Sequence, residues 1–213
     1  MIEIDESVWK QLPENDSGLV EFHDGNGVKL VIHQIGVDAE LRERLSDVNK
    51  VREYYRANFT EQGMGLVECI STTIDDIPSA KAIGKKIEQG QPGLYVGTIA
   101  VPLEDQSFVF SLFSQEIGVT GIRDTAILTK LMSEGKQFET EESTGKMIGW
   151  AQDPYFPEHD GPCLRNLSED EEYDELFPDH PLSKIRLQLL NLEKSIKINL
   201  SGRDKKKTWW NFW

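Results

Sequence analysis

The sequence predicts an α+β fold: an antiparallel β-sheet flanked by helices, an α/β/α sandwich with a C-terminal acidic strap and a helical extension. Runs rich in β-branched and aromatic residues follow one another across short turns, which is typical of antiparallel strands. Amphipathic helical patterns lie before and after this group of strands. Hydrophobic residues make up 38% of the 213 residues, which is enough for a packed core.

The first elements are a hairpin and a long helix. Residues 18–35 predict two strands joined at residues 24–27, where Asp-Gly-Asn-Gly tolerates the left-handed backbone of a tight turn. Asp38 is suited to cap a helix over residues 39–61. One face of this helix is apolar at three- and four-residue steps, at Leu41, Leu45, Val48, Val51, Tyr55 and Phe59.

Four further strands and a second helix follow. The strands alternate polar and apolar residues, and the last two turn around Glu104 and Asp105. Thr120 is expected to cap the helix over residues 121–132. The predicted strands are residues 65–77, 79–89, 93–103 and 106–117. The residues expected to face inward from the helix are Ile122, Ala126, Ile127 and Leu131.

The chain divides by composition near residue 135. We expect residues 1–135 to form the sandwich core and residues 136–213 to form an extension that packs on it. The predicted parts of the extension are an acidic strap (residues 149–181), an amphipathic helix (residues 182–197) and a basic-aromatic tail (residues 203–213).

Two helices are predicted inside the extension. Ser168 and Glu171 match a capping box, and the helix that they start is expected to end at Pro178. Pro181 suits the first turn of the next helix. The apolar side of the first helix is Tyr173, Leu176 and Phe177. The second carries a heptad-like seam at Leu182, Ile185, Leu189, Leu192 and Ile196, which favours docking against the core, with a homodimer seam as the alternative.

Charge narrows the classes of partner. The net charge is −14, which argues against nucleic acid because phosphate contacts need Lys and Arg. Residues 139–179 hold thirteen acids against Lys146 and Arg165, and a basic segment follows them. The acidic first residues predict no signal peptide, and no run is apolar enough to span a membrane, so we expect a cytoplasmic protein. We expect it to be a monomer or a homodimer.

The segment LYVGTIAVPLEDQSFVFSLFSQEIGVTGIRDTAI, with the helix–meander–helix order around it, resembles a known fold. It is similar to the sandwich shared by PsbP-like photosystem proteins, Ran-binding nuclear-import regulators and uncharacterised bacterial proteins. The resemblance covers about residues 1–135 and is one of pattern order. It implies a non-catalytic module that binds other proteins, and it supplies no catalytic residues.

The corner between the last strand and the second helix is a candidate site. Glu116 ends the strand, Arg123 and Asp124 open the helix, and two glycines lie between them. Free N–H groups and a guanidinium could bind an anion there. The alternative is a structural Glu116–Arg123 ion pair with Asp124 favourable at the helix start.

The acidic strap could also hold a metal or a catalytic group. His159 and Asp160, together with Arg123, are the residues on which a metal-dependent or other hydrolase would be centred. No zinc or calcium ligand spacing is present, so we expect no metal and no cofactor. The strap is instead expected to bury its large apolar residues on the sheet, namely Trp150, Tyr155, Phe156 and Leu164.

The function predicted from these observations is a non-catalytic protein-binding module, such as an adaptor, a chaperone or an immunity-type partner. It would engage a basic or amphipathic protein surface. Its tail could fold back on the core, bind a partner or contact a membrane as a peripheral binder. The predicted binding residues are Glu169, Asp170, Glu171, Glu172, Asp174, Glu175, Trp209, Trp210 and Trp213.

Overall fold

The computed structural model describes residues 2–13 and 19–198. A seven-stranded antiparallel sheet runs through it, and a separate pair of two-residue strands, β1 and β9, joins the two ends of the described chain. The strands are β1 (Ile2–Glu3), β2 (Lys10–Gln11), β3 (Val20–His23), β4 (Lys29–Ile35), β5 (Gly65–Ile74), β6 (Ile77–Lys86), β7 (Leu94–Pro102), β8 (Ser107–Gln115) and β9 (Lys197–Ile198). The order in the large sheet is β2-β3-β4-β8-β7-β6-β5.

The predicted hairpin turn between β3 and β4 is present. Between β3 and β4 the Asp24 carboxylate accepts hydrogen bonds from the N–H groups of Asn26 and Val28, at 2.8 and 2.9 Å, which holds the turn closed. The predicted strand over residues 65–77 ends early, at Ile74, because Asp75 and Asp76 form the turn between β5 and β6, both with positive φ (49° and 66°). This backbone matches the right-handed twist of the strands.

The helices are α1 (Ala39–Arg44), α2 (Val48–Glu61), α3 (Ile122–Ser133) and α4 (Pro181–Ser195). A single helix was expected over residues 39–61, but the chain forms two. The reason is Asp47, whose carboxylate accepts from the N–H of Asn49 and starts α2. Asp38 caps α1 as expected, through the N–H of Leu41.

The helix α4 covers one face of the sheet. The buried residues of α4 pack among strand residues that include Ile99, Phe110 and Leu112. All five residues of the predicted seam are buried against the sheet within the same chain. The seam residues are Leu182, Ile185, Leu189, Leu192 and Ile196.

The helices α1 and α2 cover the opposite face. Leu41 of α1 and Val51, Tyr55 and Phe59 of α2 form a second apolar cluster with the sheet. The predicted fold class is thus confirmed, since helices flank both faces of one antiparallel sheet. The sheet residues of this cluster include Leu66, Cys69, Ala80, Ala82 and Val96.

The start and orientation of α3 differ from the prediction. Its N-cap is Gly121, which has φ 72° and offers no side-chain cap, so the expected cap at Thr120 is wrong. Arg123 and Ile127 are buried, whereas Ile122 and Ala126 face outward. The apolar pattern misplaced the helix face because Arg123, with several internal partners, takes the inward position.

Two short 3₁₀ helices, Leu167–Glu169 and Glu171–Leu176, replace the predicted first helix of the extension. The capping box is formed by Asn166 and Glu169, not by Ser168 and Glu171. The side chain of Asn166 accepts from the N–H of Ser168, and the carboxylate of Glu169 accepts from the N–H of Asn166. A tighter helix that starts two residues earlier accounts for the shift.

The extension contributes one layer of the sandwich through α4, although the division at residue 135 into a core and an extension stays a prediction. Within the described ranges, no helix has both the length and the apolar content to cross a bilayer.

Candidate functional site

An open groove of about 670 Å³ lies between α4 and the strands β5 and β6. We call it the α4–β5 groove. It has an apolar middle and a charged end beside the Glu171–Leu176 helix. Its apolar wall residues are Ile70, Ala82, Ile83, Leu187, Leu189 and Leu190. The charged residues around it are Glu68, Lys81, Arg165, Glu171, Asp174, Glu175 and Arg186.

The helix wall of the groove is set by a second face of α4. Ser183, Leu187 and Leu190 recur at four- and three-residue steps, so they point the same way. Leu187 is 55% exposed and Leu190 is 44% exposed, whereas the seam residues are buried. The helix α4 therefore presents one apolar stripe to the core and a shorter one to the groove.

The strand wall is β5, which is an edge strand because it pairs only with β6. Glu68 and Ile70 alternate toward the groove, and Ile70 is 41% exposed. Cys69 between them points to the α2 face and joins the second cluster. Burial raises the pKa of the Cys69 thiol to about 12, so this cysteine remains an inert core residue.

Arg186 stands at the charged end of the groove. It donates to Glu68 from Nε at 2.8 Å, to Asp174 from Nη1 at 2.9 Å and to the carbonyl of Glu169 from Nη2 at 2.6 Å. Burial alone would lower the pKa of Arg186, but the combined effect of the Glu68 and Asp174 carboxylates is larger and raises it. Arg186 is therefore a fixed cation that orients the acids around it.

Arg123 lies directly behind this end and is almost fully buried. It donates to the carbonyls of Ser168 and Asp170, at 2.6 and 3.0 Å, and to Asp174 and Ser183 at 2.9 Å each. The expected Glu116–Arg123 ion pair is wrong, because all of these partners belong to the extension. Arg123 joins α3 to the two 3₁₀ helices and to α4.

Glu116 and Asp124, the other residues of the predicted corner, also have structural partners. Glu116 accepts from the N–H groups of Gly93 and Gly121, at 3.2 and 2.9 Å. Asp124 accepts from the side chains of Ser168 and Asn166, at 2.5 and 3.1 Å. The anion-site alternative is weakened, since a carboxylate already occupies the helix N–H group that an anion would use.

Glu169 does not lie on the binding surface where it was expected. It is 0% exposed, and its carboxylate accepts from Lys85 at 2.6 Å and from the hydroxyl of Tyr95 at 2.7 Å. Burial is the main cause that raises the pKa of Tyr95 well above its usual value, and the negative charge of Glu169 adds to it. Glu169 thus pins the extension to the sheet.

The remaining predicted acids divide by exposure. Asp170 pairs with Arg165, and Asp174 pairs with both Arg123 and Arg186. Glu171, Glu172 and Glu175 are exposed. Within the described part of the chain, Glu171 and Glu175 have no ion-pair partner, and both border the α4–β5 groove. Trp209, Trp210 and Trp213, the other predicted binding residues, lie outside the described residues.

The residues of the hydrolase alternative are not brought together. Asp160 pairs with Lys146 at 2.6 Å in an exposed position, and this pairing lowers the pKa of Asp160. The partners of Arg123 in the described structure do not include Asp160 or His159. Among the residues of 2–13 and 19–198, no group of three His, Cys, Asp or Glu side chains could hold a metal ion.

The acidic strap covers one half of the free edge of β5. The N–H of Cys69 donates to the hydroxyl of Tyr155 at 2.9 Å, and the carbonyl of Cys163 passes close over Gly65. Arg52 and Arg56 of α2 stack on the rings of Tyr155 and Phe156, at 3.9 and 4.0 Å from the centroids. These two aromatic residues, like Trp150 and Leu164, are half-buried.

The sequence patterns did not indicate Glu68, Ile70, Leu187 and Leu190 as site residues. The leucines carried a usable signal, because each lies beside the heptad-like seam and widens the apolar face of α4. Glu68 and Ile70 carried no local signal, since only the pairing of β5 at the sheet edge reveals them.

Comparison with known proteins gives distant matches. No family model matches the sequence, and no curated protein matches it significantly. The Ran-binding protein Mog1p of Saccharomyces cerevisiae is similar in structure, with 9% identity, a TM-score of 0.37, and coverage of 61% of this chain and 75% of that chain. A protein of unknown function from Pseudomonas aeruginosa, PA94, has 14% identity, a TM-score of 0.33, and coverage of 66% and 85%. Both likenesses are too distant to carry a functional inference, and the family resemblance stays a prediction.

Proposed function

We propose that this protein is a non-catalytic binding module whose α4–β5 groove takes an extended, basic and apolar segment of another protein. The observation that supports the proposal is that exposed apolar residues and acids without an ion-pair partner line the same groove. Ile70, Leu187 and Leu190 are all more than 40% exposed in one groove, and Glu171 and Glu175 lie at its rim.

The free edge of β5 supports an extended ligand. The N–H of Cys69 donates to Tyr155 and its carbonyl accepts from Arg52, so both main-chain groups face away from β6. Ser71 and Thr73, two and four residues later, point their main-chain groups the same way and have no partner within residues 2–13 and 19–198. A peptide strand could pair there and place alternate side chains in the groove.

Charge supports a basic ligand. Lys81 and Arg165 are already paired with Glu193 and Asp170, and Arg186 is paired with Glu68 and Asp174. The charges left over at the groove are the carboxylates of Glu171 and Glu175. Lysine or arginine in a ligand would complement them, and the attraction would weaken as salt rises.

A photo-crosslinking amino acid at position 187 tests the proposal. Met132 of α3 is the matched control, because it is 57% exposed against 55% for Leu187 and lies outside the groove. We expect benzoylphenylalanine at 187, in a native lysate, to capture a defined segment that contains both basic and large apolar residues. The synthetic segment should then bind the full chain, and E171Q/E175Q should weaken binding several-fold at low salt. Equal capture from position 132, or capture of segments without basic residues, would refute the proposal.

A further inference from the structure

We infer that the C-terminal residues 208–213 of the same chain occupy the α4–β5 groove and compete with the partner. This inference rests on the proposed function, and it makes the chain's own tail the regulator of that site. Residues 199–213 lie outside the described part of the chain.

The described chain ends at the turn that follows β5, the strand that forms one wall of the groove. The N–H of Ile198 donates to Oδ2 of Asp75 at 2.9 Å, and Nζ of Lys197 is 3.2 Å from Oδ1 of the same residue. Asp75 is the first residue of the turn after β5. A chain that continues from Ile198 therefore starts at one end of the strand that forms the groove wall.

The length of the tail is sufficient. Residues 199–213 are 15 residues, which can span up to about 50 Å when extended. The part of β5 from Ile74 back to Glu68 is seven residues, which span about 20 Å. Going back along β5 from Asp75, the tail would run antiparallel to that strand, along the free edge at Ser71 and Thr73.

The composition of the tail matches the predicted ligand. Basic residues come first and four aromatic residues follow, in the order RDKKKTWWNFW. The groove offers exposed Ile70, Leu187 and Leu190 for the aromatic side chains. Burying a tryptophan removes about 150–250 Å² of its surface from water, so an apolar groove favours binding of such aromatic residues.

The tether makes the competition effective. A short linker gives its attached ligand an effective concentration of about 1 mM. A tail with an intrinsic Kd of about 100 µM would then weaken the binding of any partner to the groove about 10-fold. Replacing the tail's aromatic residues should therefore strengthen partner binding by about 10-fold.

The first test is an intramolecular cross-link in the full chain, with benzoylphenylalanine at position 187 or, as control, at position 132. Trypsin releases residues 208–213 as the C-terminal peptide, because Lys207 precedes them. We expect this peptide to be joined to position 187 and not to 132. Mixing ¹⁵N-labelled and unlabelled chains separates a link within one molecule from a link between two. Isotopically mixed links, equal links from both positions or the absence of a link would overturn the inference.

The second test separates this inference from the proposed function. A labelled peptide of residues 203–213 is titrated into the wild-type chain and into W209S/W210S/F212S/W213S, with fluorescence anisotropy as the readout. We expect the variant to bind the peptide about 10-fold more tightly. Equal binding by both chains, together with partner capture at position 187, would remove the tail from the site and leave the proposed function standing. A cross-link between position 187 and the tail, with no partner captured by the variant, would support the tail in the groove and refute the proposed function.

Discussion

Arg123 of α3 and Arg186 of α4 donate to the same carboxylate oxygen, Oδ1 of Asp174, at 2.9 Å each. Two buried guanidinium groups this close would repel each other without the shared acid. Asp174 therefore holds α3, the Glu171–Leu176 helix and α4 together. The same contacts fix the charged end of the α4–β5 groove.

Removing the charge of Asp174 should destabilise the fold strongly. We expect D174N to lower the free energy of unfolding by about 3 kcal/mol, because Arg123 then keeps a buried charge with only neutral partners. Urea denaturation followed by circular dichroism measures this. E175Q is the control, since Glu175 is exposed and unpaired in the described structure, and it should change stability by less than about 0.5 kcal/mol. Equal effects of the two substitutions would contradict the role of Asp174.

His180 should make stability depend on pH between 7 and 5.5. Burial, helped by the charge of Arg123, lowers the pKa of His180 to about 4, and its Nδ1 accepts from the N–H of Leu182 at 3.2 Å. In the unfolded chain His180 takes up a proton near pH 6.5, whereas in the folded chain it stays neutral until about pH 4. The contribution of His180 to the free energy of unfolding is therefore full above pH 6.5 and is lost as the pH falls toward 4.

From pH 7 to 5.5 the expected loss from this one group is about 1 kcal/mol. H180N keeps a side chain that can cap α4 but does not titrate. The measurement is urea unfolding at both pH values. The variant should lose about 1 kcal/mol less than the wild type over this range, and an identical pH dependence would show that His180 is not the titrating group.

Lys85 and Glu169 should behave as a coupled buried pair. Their charged atoms are 2.6 Å apart, and the side chains are 5% and 0% exposed. E169L should cost about 3–5 kcal/mol because it leaves Lys85 buried without its counter-charge. K85M/E169L should cost clearly less than the sum of the single changes. A double-mutant cycle from thermal and urea unfolding decides this, and additive values would mean that the pair is not coupled.

Gly65 should control how the acidic strap sits on β5. A Cβ at this position would lie 1.9 Å from the carbonyl oxygen of Cys163, so G65A must move the strap. We expect the thiol of Cys163 to react at least about 10-fold faster with a disulfide reagent, because reagent access governs a half-buried thiol.

Cys69 supplies an internal reference in the same experiment, because it is fully buried on the α2 face. G36A is the matched substitution, since a Cβ at Gly36 meets nothing within 4 Å. It should leave both thiol rates unchanged. Faster reaction of Cys163 in G36A as well, or an unchanged rate in G65A, would contradict the proposed seating of the strap.

The sheet and the seam of α4 were predictable because both depend on local patterns. Alternation and turn residues indicated β3 to β8, and the spacing of Leu182, Ile185 and Leu189 indicated a docking face. These patterns predict the fold correctly because the side-chain directions that they imply depend only on neighbouring residues in the sequence.

The charged residues were not predictable in this way. Glu169 looked like one more acid in an exposed run, but its partner Lys85 lies 84 residues earlier in the chain. Arg123 looked like a helix-start cation facing Glu116, but its partners come from four positions 45 to 60 residues later. A hydrophobic pattern does not identify buried charged residues such as these. It also does not show which strand lies at the edge of the sheet, and the groove depends on that position.

The position of α4 has a consequence during synthesis. Leu182, Ile185, Leu189 and Leu192 leave the ribosome after every strand of the seven-stranded sheet, yet they cover one face of it. Until then, a nascent chain that had already paired its strands would expose Ile99, Phe110 and Leu112 to water. Such surfaces favour aggregation, so the nascent protein should depend on chaperones until α4 has emerged.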